Sequence, residues 1–267
     1  MTLSTIFSKR NLSRYNPEKV NLLKIVLKSF LLGSLFTINL YNLLFTFNKF
    51  WYQINLFIIF LIIFHNLEFI NTVLFNNSQV DDDSFILEDK EMFIINLLSI
   101  IEHIIIHNYD YFNLKFYTDS KFVYGIGLIL IIIGQFIRSL SMYTAKSSFN
   151  HYIQKEKKES KTSSSVALEQ IDNTDDNNDV DADDDMGHKL ITTGIYSIFR
   201  HPSYFGFFIW FLGLQIFLNN IIVLIIGGII LWKFFNERIQ FEEIYLVKFF
   251  GIDYINYRNK TKTWMMI

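Results

Sequence analysis

The sequence predicts an all-α, polytopic membrane fold of about six spans, with a helical hairpin near its C-terminus. Hydrophobic residues make up 51% of the 267-residue chain against 19% charged, and Phe alone numbers 29, more apolar side chain than a soluble core of that length usually holds. The charges are gathered into short blocks, leaving uncharged runs of about 20 residues, enough to carry a helix across roughly 30 Å of hydrocarbon. With six spans, most basic residues near run ends fall on one side of the bilayer.

The composition also excludes several functions. A net charge of -2 gives no pull toward nucleic acid, and the absence of Cys removes disulfides, thiolate metal sites, cysteine nucleophiles and prenylation of this chain. The N-terminal Lys9, Arg10, Arg14 and Lys19 run into apolar sequence without a small-residue cleavage site, which reads as an anchor and not a removable signal.

Taken in order, residues 29–48 carry no charge and form span one. Span two covers 50–75, broken only by Glu68, with Trp51 and Tyr52 where an interfacial aromatic belt belongs. Span three covers 92–109, interrupted by Glu102, and span four covers 122–137, ending at Arg138. The connecting segments 76–91 and 110–121 are polar. The uncharged run 202–232 is too long for one crossing and holds Asn219 and Asn220 near its middle, which predicts a tight hairpin of spans five and six. Pro202 belongs in the first turn of span five, where its missing N–H costs nothing. The apolar pattern continues through Phe234, Phe235, Ile239, Ile244, Leu246 and Val247, so the last helix is expected to extend beyond the bilayer.

Both termini and residues 146–200 then share the basic, cytosolic side. The chain divides into N-terminal spans (1–145), a cytosolic linker (146–187) and a region carrying the candidate site (188–267). Within the linker, residues 172–185 contain eight Asp and no aromatic, a composition that cannot bury enough surface to offset ordering. A calcium loop there would need a Gly and a closing Glu at the proper spacing, and both are missing.

Ionisable residues inside a bilayer are costly, so each is a functional candidate with a plain structural alternative. His65 and Glu68, three apart, would form a proton relay, or simply satisfy each other or sit near the headgroups. Glu102, His103 and His107 include a histidine pair at i, i+4, but the Glu of a HExxH zinc motif is missing between them. At the cytosolic edge the topology gathers Arg138, residues 142–154 (MYTAKSSFNHYIQ), 188–196 (HKLITTGIY), 200–204 (RHPSY) and 236–243 (NERIQFEE). Singly these have ordinary readings: Arg200 a basic anchor, Tyr196 and Tyr204 belt residues, Arg238 and Glu242 a helix-surface ion pair.

Together, RHPSY, HKLITTGIY, and ERIQFEE followed by Phe249, Phe250, Gly251 and Tyr254 resemble the isoprenylcysteine carboxyl methyltransferases. MYTAKSSFNHYIQ is the more family-specific part, because RHPxY with a late glutamate pair is shared by phospholipid N-methyltransferases and membrane sterol reductases. The resemblance is strong over about residues 138–257, and the Asp-rich insert departs from it. It implies a membrane enzyme of the endoplasmic reticulum that esterifies the C-terminal carboxylate of a farnesylated or geranylgeranylated cysteine on processed CaaX proteins, such as small GTPases, using S-adenosylmethionine. It implies no Rossmann fold and no metal. Carried over position by position, the cofactor residues are Gln154, His188, Lys189, Leu190, Ile191, Tyr196, His201, Pro202, Ser203, Tyr204 and Glu242; Arg238 holds the substrate carboxylate, and Arg238 and Glu242 are the catalytic pair.

Physical reasoning gives these roles a basis. The acceptor carboxylate is already ionised at neutral pH, so methyl transfer needs alignment more than a general base. Arg238 offers a planar fork for it, and Glu242, one turn away, suits an ammonium or a ribose. Two other readings compete: a phospholipid N-methyltransferase, which would need a base such as His201, and a non-catalytic transporter, suggested by His65, Glu68 and Glu102.

Overall fold

A computed structural model describes residues 20–45, 48–76, 79–108, 121–149 and 189–267. The main helices are α1 (Leu22–Phe45), α2 (Lys49–Phe75), α3 (Lys90–Asn108), α4 (Lys121–Ala145), α5 (Pro202–Leu218), α6 (Gly228–Phe250) and α7 (Ile252–Lys260). A π-helical stretch, Val223–Gly227, leads straight into α6. Three helices, Leu22–Phe45, Phe50–Phe75 and Lys121–Ser148, are long and apolar enough to cross a membrane; α5 is apolar but shorter.

The centre of the fold is the antiparallel contact between α4 and α5, and glycines make it close. A Cβ on Gly134 would stand 2.6 Å from the Gly206 carbonyl oxygen, and one on Gly213 would stand 2.7 Å from the Ile131 nitrogen. Backbone therefore meets backbone, the small-residue packing that drives helix association where lipid supplies no hydrophobic force. Around this contact Phe57, Phe64, Trp210, Phe211, Leu214 and Phe217 form the main core.

The expected turn at Asn219 and Asn220 is present. Pro202 is the first residue of α5, and α5 ends at Asn219, whose left-handed backbone (φ 60°) turns the chain. The turn is held by side chains of neighbouring helices: the Glu102 carboxylate accepts the backbone N–H groups of Ile222 and Val223, both at 2.7 Å, and His103 Nδ1 donates to the Leu218 carbonyl at 2.8 Å. Asn220 donates to the Ser99 carbonyl and Gln53 to that of Phe217. Glu102 and His103 thus satisfy backbone groups of the turn. The side chain of His107 lies outside the described residues.

Two expectations are corrected. Span four does not end at Arg138, because α4 runs on to Ala145 with Arg138 buried in it. His65 and Glu68 do not satisfy each other. Glu68 grips Arg138 with both oxygens, 2.5 Å to Nε and 2.8 Å to Nη2, and His65 Nδ1 donates to the Phe85 carbonyl at 2.8 Å. Residue 138 reads as a span end only while its partner, 70 positions away, is unknown. The polar connection after α2 also hides an apolar anchor: Phe85 is buried, stacks on Phe69 with centroids 4.1 Å apart, and packs against Leu32 and Ile62.

Candidate active site

Residues 199–204 and the later half of α6 face each other where α5 begins. Pro at the first helical position fixes this start, and His201 precedes it as the N-cap. Tyr204, one turn in, stacks on Phe235 of α6 with centroids 5.2 Å apart. Its hydroxyl bridges two charged residues of α6, accepting from Arg238 Nε at 2.9 Å and donating to Glu242 Oε2 at 2.9 Å. Arg238 and Glu242 therefore share a phenol from the facing helix, which is more than the helix-surface ion pair their spacing allowed. The second Glu242 oxygen has no partner among the described residues, and its side chain is 29% exposed.

His201 is nearly buried and stacks on Tyr204. Its Nδ1 is 3.6 Å from Glu242 and its Nε2 is 3.3 Å from Glu243. Glu243 is also 2.7 Å from Arg200 Nε and 3.8 Å from Arg258 Nη1. Its half-buried position would raise its pKa, but the His201 hydrogen bond and the Arg200 charge outweigh burial and hold the carboxyl below the usual glutamate range.

Behind this cluster lies a strap formed by residues 261–267. The Arg200 backbone N–H donates to Lys262, and its Nη1 donates to the carbonyls of Thr261 and Arg258. Trp232 donates to the Met265 carbonyl and Trp264 to that of Ile198, while Met265 is buried against Phe235 and Ile239. The Tyr257 hydroxyl donates to the Tyr196 carbonyl at 2.7 Å. Burial pushes the Tyr196, Tyr254 and Tyr257 hydroxyls well above the ordinary tyrosine value, so all three stay protonated.

Of the sequence-predicted residues, the structure brings His201, Tyr204, Arg238 and Glu242 into one cluster, with Tyr196 near enough for Glu242 and Tyr204 to act on its hydroxyl. Pro202 and Ser203 are buried, and the Ser203 hydroxyl faces away toward α4, accepting from Arg138 Nη1 at 3.2 Å. Lys189 is exposed, Leu190 and Ile191 are half-buried, and no hydrogen bond among the described residues ties Lys189 to the cluster. Gln154, His188 and the Asp-rich insert lie outside the described residues. Sequence reasoning missed Arg200 and Glu243 as a pair, and the role of Tyr257. The adjacent glutamates were a signal that two partners were needed, but the facing cations lie 43 residues before and 15 after Glu243. An open groove of about 550 Å³ borders the segment before Tyr196, lined by Tyr143, Thr144, Lys146, Thr193, Gly194 and Ile195 among others.

The sequence profile of the isoprenylcysteine carboxyl methyltransferase (ICMT) family matches residues 178–248. The protein-S-isoprenylcysteine O-methyltransferase of Saccharomyces cerevisiae is 37% identical over 209 residues, spanning 77% of this chain and 76% of that one. The Schizosaccharomyces pombe protein of the same name is 34% identical, covering 78% and 81%. The Homo sapiens protein is 30% identical, covering 80% of this chain and 63% of its own length. A solved structure of a eukaryotic intramembrane Ras methyltransferase, ICMT, superposes with a TM-score of 0.69 at 30% identity, covering 86% of this chain and 72% of that chain. Likeness of this extent in both sequence and fold settles the ancestry: the chain belongs to the isoprenylcysteine carboxyl methyltransferase family.

Proposed function

We propose that this protein methylates the C-terminal carboxylate of a prenylated cysteine, with S-adenosylmethionine as donor and processed CaaX proteins of the small GTPase type as acceptors. The observation that carries the reading is the Tyr204 hydroxyl joining Arg238 to Glu242 at the start of α5. One cation suited to a carboxylate and one carboxylate suited to a cation are held at a fixed distance, as a reaction between a carboxylate and a cationic donor requires. When bound, S-adenosylmethionine supplies an electrophilic methyl group and its own leaving group. The residues present fit it: the open oxygen of Glu242 suits its ammonium, and the first N–H groups of α5 suit its carboxylate.

Arg238 holds the acceptor carboxylate by charge-assisted hydrogen bonds, and Tyr204 fixes the direction of its fork. No general base is needed, since the acceptor is ionised at neutral pH. Glu243 and Arg200 hold His201 and the start of α5 in register with α6. Lys189, Leu190, Ile191 and Tyr196, on the segment that leads into α5, are assigned to donor binding together with Gln154 and His188.

The protein is a membrane protein, and the six-span arrangement accounts for its surface. Ile222, Ile225, Ile226, Ile229 and Ile230 before and within α6, and Phe93, Ile94, Leu97 and Leu98 on α3, are all largely exposed, which suits hydrocarbon and not water. With both termini cytosolic, in the membrane of the endoplasmic reticulum, the site lies at the cytosolic interface. There a tail in the bilayer and a donor in water can meet. A groove of about 380 Å³ between α1 and α2, lined by Leu32, Phe36, Ile62 and Ile63 among others, offers apolar surface of the kind a prenyl tail needs.

Donor binding and methyl transfer measured on two variants test the assignment. Arg238→Ala should abolish transfer to N-acetyl-farnesylcysteine while leaving donor affinity within about threefold, and Glu242→Ala should weaken donor binding roughly tenfold or more. Equal, mild losses in both would reduce the pair to a helix ion pair.

A further inference from the structure

Beneath the cluster, where α2, α4 and α5 meet, lies a second set of charged residues. Glu68 is fully buried and Arg138 is 7% exposed. Arg138 spends Nε and Nη2 on the two Glu68 oxygens and Nη1 on the Ser203 hydroxyl. Its guanidinium sits between two rings, 5.4 Å from the centroid of Phe64 on α2 and 5.2 Å from that of Phe207 on α5. So complete an engagement leaves the group one orientation. A charge pair in a membrane-embedded core costs much desolvation energy, and apolar residues of equal volume would pack three helices as well. Packing alone therefore does not explain it.

Its position does. Ser203 and Tyr204 are consecutive on α5, about 100° apart around the helix. One faces the ion pair and the other faces Arg238 and Glu242. The backbone contact at Gly134 and Gly206 sets how near α5 lies to α4, but glycines carry no side chain to stop rotation about the helix axis. The α5 core side chains Trp210, Phe211, Leu214 and Phe217 lie further along the helix, so at the end that bears Tyr204 the bond from Arg138 to Ser203 adds a directional stop.

We propose that Glu68 and Arg138 are positioning residues of the methyl-transfer site: acting through Ser203, they set the rotation of α5 and so the placement of the Tyr204 hydroxyl and His201 ring against Arg238, Glu242 and Glu243. The proposal rests on the site assigned above. It also gives Ser203 a role through Arg138, in place of contact with the donor.

The test uses the full chain in membranes, with N-acetyl-farnesylcysteine and S-adenosylmethionine as substrates. The Glu68→Gln/Arg138→Gln variant replaces the ion pair with two neutral amides that can bond each other. It should insert at the wild-type level, with KM values within about threefold and kcat lower by roughly tenfold to a hundredfold, since alignment and not binding is lost. Wild-type kcat in this variant would overturn the proposal. If the variant fails to insert, Ser203→Ala decides, because it keeps the ion pair and removes its bond to α5. A fall in kcat of about fivefold or more with an unchanged melting temperature supports positioning, and an unchanged kcat overturns it. Tyr204→Phe in the same assay separates this proposal from the site reading. Full activity there overturns both, whereas a crippled Tyr204→Phe beside fully active Glu68→Gln/Arg138→Gln and Ser203→Ala overturns the positioning role alone.

Discussion

At the scale of single residues, the site is a set of shared partners. The Tyr204 hydroxyl serves Arg238 and Glu242 at once. Tyr204→Phe keeps the stack on Phe235 but removes the bridge, so it should lower kcat by roughly tenfold to a hundredfold, about 1.4–2.7 kcal/mol, with little change in melting temperature. Steady-state rates beside a melt in detergent would check this. Glu243 makes a pH prediction. Its carboxyl titrates lower in the folded chain than in the unfolded one, so its contribution is fully present above about pH 4.5 and is lost as pH falls through the folded value beneath that. Glu243→Gln should lower stability at neutral pH by roughly 2 kcal/mol and remove that acid-side step from a series of melts. The sequence made part of this legible. Arg238, Glu242, His201 and Tyr204 stand out because they sit in short recognisable strings. Glu243 with Arg200, and Glu68 with Arg138, did not, because a charge in sequence does not name a partner that folding supplies from another helix.

At the scale of elements, two features carry most of the consequence. The strap of residues 261–267 ties residues 198–200 to α6 through Trp264, Lys262 and the buried Met265. Met265→Ala should cost about 2–3 kcal/mol in stability. It should also loosen Arg200, so a lower melting temperature should be accompanied by reduced transfer. The hairpin turn depends on Glu102, which caps two backbone N–H groups from another helix. Glu102→Ala should cost about 2–4 kcal/mol, since two buried donors lose a charged acceptor. Limited proteolysis or a thermal melt would read the loss. The helices themselves were legible from apolar runs, and the turn after α5 from the length of its run and the paired asparagines. The two further turns of α4 were not, because an arginine that ends a span looks the same in sequence as one buried against a carboxylate. Nor was the loop that buries Phe85, since its flanking Asp and Glu residues dominate the composition of the segment.

At the scale of the whole molecule, the proposed function requires a water-borne donor and a membrane-borne acceptor to meet at one interface. The connection between α4 and α5 carries the Asp-rich insert, whose composition predicts a solvated linker with no part in the chemistry. Deleting residues 173–185 should therefore leave methyl transfer within about twofold of the intact chain; its loss in a stably inserted protein would show that the insert takes part in the site. The helical class and membrane character were plain from composition. The number of crossings was less so, because α5 is shorter than a full span and α3 carries Glu102 among its apolar residues. The central claim is that Arg238 and Glu242 serve a carboxylate acceptor. The most direct test is transfer of labelled methyl from S-adenosylmethionine, in membranes containing this chain, to N-acetyl-farnesylcysteine and in parallel to phosphatidylethanolamine. The account predicts base-labile label on the prenylcysteine, as an ester requires, and none on the phospholipid. Label confined to the phospholipid would leave the fold and donor site standing but contradict the carboxylate role of Arg238.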